Sequence, residues 1–197
     1  MRSAIMRQLR LFLVVLLGYL CQVCIMPYVQ VGGVSPNLLC CMIAIVTVGY
    51  GRLRALWVGC FYGIVMETLL PTVTLLNLMY YPISALFCSV FFADKSASRL
   101  QYERSMGKAG RNRSPYIRIL GCTMVNILIF EIVNVAYMYL GGTALTMTQV
   151  GKSLTDILAT TALAGLIMYP VRKLLGFKPP REEDPEKQRF GYQPRRV

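Results

Sequence analysis

Residues 38–70 read LLCCMIAIVTVGYGRLRALWVGCFYGIVMETLL, so that a short basic turn containing Arg52 and Arg54 separates two apolar runs. The same alternation of apolar run and charged gap continues along the chain in both directions. Because about 20 apolar helical residues cross a bilayer, the runs predict membrane spans. We predict six transmembrane helices, at about residues 11–26, 36–50, 55–70, 75–92, 117–140 and 154–175. The predicted fold is an all-α membrane protein with one six-helix domain over residues 1–175.

The basic residues occupy alternate gaps between the apolar runs. Every lysine and arginine except Lys152 lies before the first run, after the second, between the fourth run and the first residues of the fifth, or from the last turn of the sixth run onward. The opposite loops, residues 27–37, 71–74 and 141–155, are otherwise free of basic charge. Because lysine and arginine accumulate in cytoplasmic loops, we expect both termini in the cytoplasm and a multi-pass protein of the cytoplasmic cell membrane.

The overall composition excludes an ordinary soluble domain. Hydrophobic residues make up 55% of the 197 residues, more than one soluble core of this size needs. The net charge of +12 raises the question of nucleic acid, but no basic and aromatic recognition motif accompanies it. Basic segments beside membrane spans are attracted to anionic lipid. We therefore expect contact with anionic lipids at the cytoplasmic face and no nucleic-acid partner.

Two segments outside the predicted spans are rich in charge. Residues 94–116 are predicted to form a basic cytoplasmic loop, in which Gly107 and Gly110 favour turns. Residues 176–197 contain several prolines among charges of both signs. They are predicted to be a disordered cytoplasmic tail, because such a composition buries too little apolar surface to offset the entropy of ordering. On the other side, residues 141–155 are predicted to be the largest outer loop.

Residue types that carry enzymatic chemistry are scarce. Histidine is absent, which removes the usual general base and the usual metal ligand. The seven cysteines lie in or at the ends of apolar runs and are predicted to pack as small apolar residues. Cys21 and Cys24 form a CxxC pair, but no further metal ligands accompany them. We expect no metal site, no cofactor and no enzymatic activity.

Gly59, Gly63 and Glu67 recur every four residues in the third predicted span. This spacing places the three residues along one lane of a helix. Small residues allow a second helix to approach closely in a membrane, as in GxxxG packing. We predict that the glycines are a helix-packing surface used by a partner. Glu67 is interpreted either as a functional charge inside the protein or as a hydrated residue near the outer interface.

The fifth predicted span carries one polar face, formed by Asn126, Glu131 and Asn134. At about 100° per residue these side chains share one side of the helix, which is expected to face the bundle interior. Two roles remain open, hydrogen bonding between helices and a ligand site. Asp156 lies at the start of the sixth predicted span. The helix dipole stabilises a carboxylate at this end, so we predict that Asp156 caps the helix. With Glu67, these residues predict a polar cavity that opens outward.

Three short motifs follow one another along the predicted spans. They are Ser35-Pro36-Asn37 at the start of the second span, Gly59-x-x-x-Gly63-x-x-x-Glu67 in the third and Met168-Tyr169-Pro170 near the end of the sixth. Their order over about residues 9–175, together with six spans and inward termini, resembles the MreD family of the bacterial rod-shape system. The chain departs from the family at Glu67, commonly Asp, and at Asn77, often Gly. Pro36 is expected at the first helical position, followed by Asn37 inside the helix.

The resemblance implies a non-enzymatic role in the elongasome, the complex for cell-wall synthesis during elongation. MreD-like proteins bind MreC and act with MreB, RodA and a class B transpeptidase. The membrane domain of the family is similar to the substrate-binding S components of energy-coupling-factor vitamin transporters, which supplies the main alternative. No Ala-x-x-x-Ala lane for docking a transporter coupling protein occurs in the first predicted span. An enzyme acting on lipid-linked substrates is a third, less supported option.

Overall fold

The computed structural model describes residues 2–69, 75–93, 102, 105–106, 114–142 and 146–177. Within these ranges the chain forms no β-strand, and one isolated bridge joins Val31 to Val34. The long helices are α1 (Arg2–Cys24), α2 (Leu38–Tyr50), α3 (Arg52–Leu69), α4 (Leu76–Phe92), α5 (Pro115–Leu140) and α6 (Met147–Leu174). The all-α prediction is therefore confirmed. Most of the predicted basic loop, and the predicted tail from residue 178, lie outside the described residues.

Three helical segments are long and apolar enough to cross a membrane. They are Ile5–Tyr28, Pro115–Leu140 and Met147–Leu174. The apolar helices α2 and α4 are shorter, with 13 and 17 residues. A helix of 13 residues rises about 20 Å, which is less than the roughly 30 Å of a bilayer hydrocarbon core. The chain thus has the helices of a membrane protein, but α2 differs from the others in length.

Helix α2 is the central helix of the bundle. All of its residues from Leu38 to Val48 are buried, and it contacts α1, α3, α4, α5 and α6. A helix that is apolar on all sides is stable only when other apolar groups surround it, and here protein takes that place. A tight turn at Gly51, with φ of 83°, leads directly into α3. Because α2 is covered by protein, its short length needs no match to the bilayer.

The predicted glycine lane packs α3 against α4. A Cβ atom added to Gly59 would lie 2.7 Å from the backbone oxygen of Tyr81, and one added to Gly63 would lie 3.0 Å from the backbone oxygen of Asn77. Both distances are shorter than ordinary van der Waals contact, so only glycine allows this approach. The lane is a helix-packing surface, and its neighbour is α4 of the same chain rather than a partner helix.

Helix α6 begins earlier than the sequence indicates. A capping box formed by Thr146 and Gln149 starts the helix at Met147, about two turns before the predicted span. The outer loop is therefore shorter than residues 141–155. Asp156 lies well inside α6, so the prediction that it caps the helix is wrong, because threonine and glutamine already supply the cap.

Two further boundaries differ from the prediction. Asn37 is the residue before α2 and caps it, so Pro36 does not occupy the first helical position. At the end of α6, Gly176 adopts a φ of 79° and the N–H of Phe177 donates to the backbone oxygen of Arg172. The Phe177 ring then packs against Tyr50, with 5.0 Å between ring centres. These first two residues of the predicted disordered tail are ordered, because an aromatic side chain finds an apolar site on α2.

Candidate functional site

The amino end of α2 begins inside the bundle, where its first N–H groups need acceptors. Pro36, Asn37 and Leu38 are all buried. The Leu38 N–H donates to Gln22 Oε1 of α1 at 2.7 Å. The N–H groups of Leu39 and Cys40 donate to Asn37 Oδ1 at 3.1 and 3.3 Å. The first N–H groups of a helix have no acceptor within the helix, and at a buried position water cannot supply one. Here side chains accept these hydrogen bonds and cap α2.

The cap residue is itself held by α6. The Asn37 N–H donates to Thr160 Oγ1 at 2.9 Å. The Thr160 hydroxyl in turn donates to Asp156 Oδ1 at 2.9 Å. Thr160 is fully buried and Asp156 is 6% exposed. Because the Asp156 carboxylate accepts the hydrogen bond of the Thr160 hydroxyl, the lone pairs of the threonine oxygen face the Asn37 N–H. Asp156 thus orients the hydroxyl that links α2 to α6.

A second carboxyl group approaches Asp156 from α5. Glu131 is half-buried, and its carboxyl group lies near that of Asp156. Asn134 is also half-buried, and its side chain makes no hydrogen bond to another described residue. The predicted polar face of the fifth span therefore meets α6 through Glu131, not through Asn134.

A second branch of hydrogen bonds connects α2, α4 and α5. The Tyr80 hydroxyl lies 2.7 Å from the backbone oxygen of Asn126 and 3.0 Å from its Oδ1, and donates to them. Cys40 Sγ lies 3.6 Å from the same hydroxyl. Asn126 is fully buried, and its Nδ2 has no acceptor within the described part of the chain. We call the two branches together, Gln22, Asn37, Cys40, Tyr80, Asn126, Glu131, Asp156 and Thr160, the capping cluster.

Glu67 lies apart from the capping cluster. Its Oε1 accepts a hydrogen bond of 2.6 Å from the N–H of Leu75, the residue that precedes α4 and has a φ of 67°. The carboxylate therefore ties the end of α3 to the start of α4. Among the described residues no hydrogen bond joins Glu67 to the capping cluster. Of the acidic residues from which an outward polar cavity was predicted, Asp156 and Glu131 therefore belong to the capping cluster, whereas Glu67 bonds to the start of α4.

The two terminal motifs differ in environment. Ser35 is half-buried and leads into the buried Pro36 and Asn37, so this motif forms part of the capping cluster. Tyr169 is 62% exposed on α6, and Pro170 is an exposed residue inside the same helix. The structure therefore gives the first motif a role inside the bundle and leaves the second on its surface.

Sequence reasoning missed Gln22, Tyr80 and Thr160. Gln22 is a polar residue in the first apolar run, where an amide needs a partner in lipid. Thr160 follows Asp156 by four residues, which places both on one helical face. Those two signals were available from the sequence. Tyr80 gives no such signal, because a tyrosine in an apolar run is ordinarily a packing or interface residue.

The capping cluster consists of acceptors and donors that join helices. Among the described residues, no group of three or more histidine, cysteine, aspartate or glutamate side chains is placed to hold a metal ion. Comparison of the chain with protein-family models, with curated proteins and with solved structures gave no match.

Proposed function

We propose that this protein is a non-enzymatic membrane subunit of the elongasome, of the MreD type, which binds an MreC-like protein. The supporting observation is that the Ser35-Pro36-Asn37 motif coincides with the joint between α1, α2 and α6. The polar side chains of that joint are used to hold helices together, which suits a rigid scaffold. In this role the protein connects MreC to MreB, RodA and a class B transpeptidase at the cytoplasmic membrane.

The proposal includes six membrane crossings with both termini in the cytoplasm. It is supported by basic residues near helix ends whose guanidinium groups lie over aromatic rings. Arg54 lies over Tyr50, and Arg172 lies over Tyr116 and Phe177. Reporter fusions test the orientation. A periplasmic phosphatase reporter fused after Gly142 is expected to be active, and one fused after Val197 inactive. Activity after Val197, or its absence after Gly142, contradicts the topology.

The partner surface is proposed to lie on the outside of the bundle, because α4 already covers the glycine lane. The exposed face of α6 carries Leu158, Leu166 and Tyr169, which are 63%, 76% and 62% exposed. Tyr169 belongs to the Met168-Tyr169-Pro170 motif, which resembles the MreD family. Packing within the bundle does not account for a tyrosine at this exposed position. An MreC-like transmembrane helix is proposed to pack along this face through van der Waals contact, the main force between helices in lipid.

Co-purification tests the partner and its surface. The tagged full-length chain is expected to retain an MreC-like protein after extraction in mild detergent. Changing Leu166 and Tyr169 together to alanine should reduce the retained partner about tenfold, because both side chains lose their contact area. Tyr139→Ala is the matched control, since Tyr139 is a 66% exposed tyrosine on α5 outside the motifs. Failure of the unaltered chain to retain the partner overturns the proposal.

The transporter S component remains the second candidate, and one observation favours it. The fully buried Asn126 Nδ2 lacks an acceptor among the described residues, which is the kind of group that a bound ligand satisfies. Mass spectrometry of the denatured, purified protein tests this reading. A stoichiometric vitamin released from the unaltered chain and lost in Asn126→Leu supports transport. Its absence, with retention of the MreC-like partner, favours the scaffold.

A further inference from the structure

The carboxyl end of α2 lies beside a group of arginines from two other helices. The Arg54 guanidinium of α3 lies over the Tyr50 ring, 4.8 Å from its centre. Arg7 and Arg10 of α1 are close enough to act electrostatically on the Tyr50 hydroxyl. Within the described ranges, no carboxylate forms an ion pair with any of these three arginines. Among the described residues, the structure thus concentrates positive charge at one end of the bundle with no carboxylate paired to it.

A groove between α1 and α3 has one of these arginines, Arg54, in its lining. Its volume is about 540 Å³. Gln8 and Arg54 line it at the arginine end, and the rest of the lining is apolar: Leu11, Phe12, Val15, Leu53, Trp57, Val58 and Phe61. From Gln8 to Val15 helix α1 rises about 10 Å, which fits within the roughly 15 Å of hydrocarbon in one leaflet. One end of the groove therefore suits an anion and the remainder suits a hydrocarbon chain.

We propose that this groove is a binding site for a phospholipid with an anionic headgroup. The phosphate would lie beside Arg54 and Gln8, and one acyl chain would extend along Trp57 and Phe12. Charge complementarity favours this occupant, because an apolar partner helix would fill the groove but would offer no anion to the Arg54 guanidinium that lines it. Each arginine near anionic lipid contributes about a fivefold gain in binding, the factor equal to about 1 kcal/mol. The site does not depend on the MreC-like partner.

Lipid retention by the purified, full-length protein tests the site. The protein in mild detergent is titrated with dioleoylphosphatidylglycerol or dioleoylphosphatidylcholine, and bound lipid is counted by native mass spectrometry. We expect preferential retention of one phosphatidylglycerol. Arg54→Gln should weaken its retention about fivefold. Arg52→Gln is the matched control, since Arg52 is an exposed arginine two residues away that does not line the groove.

The apolar part of the groove is tested with a second pair of variants. Trp57→Ala should lower retention of phosphatidylglycerol several-fold, because Trp57 supplies much of the apolar wall. Phe91→Ala removes an aromatic side chain that is equally exposed, 67% against 69%, but lies on α4 outside the groove. It should leave retention unchanged. Equal retention of the two lipids, or equal effects of Arg54→Gln and Arg52→Gln, overturns the site.

Crosslinking in native membranes distinguishes lipid from protein as the occupant. The photoreactive residue p-benzoylphenylalanine replaces Trp57 in the full-length chain, and the same residue replaces Phe91 as the control. Irradiation is expected to give a phospholipid adduct at position 57 that is more abundant than at position 91. A protein adduct specific to position 57 would mean that a partner helix occupies the groove, and would refute the lipid site.

Discussion

The two ends of α2 are held in different ways. At the amino end, backbone N–H groups of buried residues donate to Gln22, Asn37 and Thr160. At the carboxyl end, the Tyr50 ring contacts the Phe177 ring and the Arg54 guanidinium. The first set of contacts is buried and directional, whereas the second is partly exposed and lies among cationic side chains.

Because of this difference, we expect the two ends of α2 to have different roles. A buried N–H that loses its acceptor costs about 1–3 kcal/mol, because no water replaces the lost hydrogen bond. A partly exposed cation over an aromatic ring contributes about 0.5–1 kcal/mol and can exchange its partner. The amino end of α2 is therefore expected to determine stability, and the carboxyl end is expected to be available for ligands.

The largest effect is expected from Asn37→Ala. This change leaves the buried N–H groups of Leu39 and Cys40 without their acceptor. We expect the free energy of unfolding, measured by denaturant titration in mixed micelles, to fall by about 2 kcal/mol. Asn37→Ser keeps an acceptor oxygen at the cap and should recover at least half of the loss. An Asn37→Ala protein as stable as the unaltered chain would show that the cap does not hold this end.

A somewhat smaller loss is expected from Thr160→Val. Valine keeps the shape of the side chain but removes the hydroxyl that links Asn37 to Asp156. The free energy of unfolding should fall by about 1.5 kcal/mol, because the buried Asn37 N–H is left unpaired. Thr161→Val is the control, since the Thr161 hydroxyl donates to the Ile157 carbonyl of its own helix and links it to no other described helix. Equal losses in both variants contradict a special role for Thr160.

At the carboxyl end, Phe177→Ala should have a moderate effect. The ring lies against Tyr50 and above Gly49, where a Cβ would meet the Phe177 ring at 2.4 Å. Loss of this aromatic contact is expected to lower the free energy of unfolding by about 1 kcal/mol. Phe91→Ala, on the exposed face of α4, should change it by less. If Phe177→Ala costs more than Asn37→Ala, the ranking of the two ends is reversed.

The smallest change in stability is expected from Arg54→Gln. Its cation lies over the Tyr50 ring and is only half-buried, so about 0.5 kcal/mol is expected in lipid-free micelles. Arg52→Gln should have no measurable effect. Adding phosphatidylglycerol should widen the difference between the two variants if the groove binds lipid. A stability loss in Arg54→Gln that equals that of Thr160→Val would mean that this end is not a weak, exchangeable surface.

Parts of the capping cluster could be predicted from the sequence. Asn126, Glu131 and Asp156 are polar residues in apolar runs, and such residues need interior partners in a membrane. The structure places all three in the capping cluster, but it separates Glu67 from them. That separation depends on the Leu75 N–H, a backbone group whose position no pattern of side chains specifies. The correct cap of α6 was missed because Thr146 and Gln149 precede the apolar run and lie in a polar stretch.

By itself, the sequence determined that the chain is helical and that several helices suit a membrane, because length and hydrophobicity are properties of single segments. It also determined that Gly59 and Gly63 permit a close helix contact, since their spacing fixes one helical face. Only the tertiary structure decided that α4 makes this contact, that α2 is central, and that Asn37 is held by Thr160. These facts depend on which helices become neighbours, and in lipid many apolar faces can pack with similar energy until buried polar groups select one arrangement.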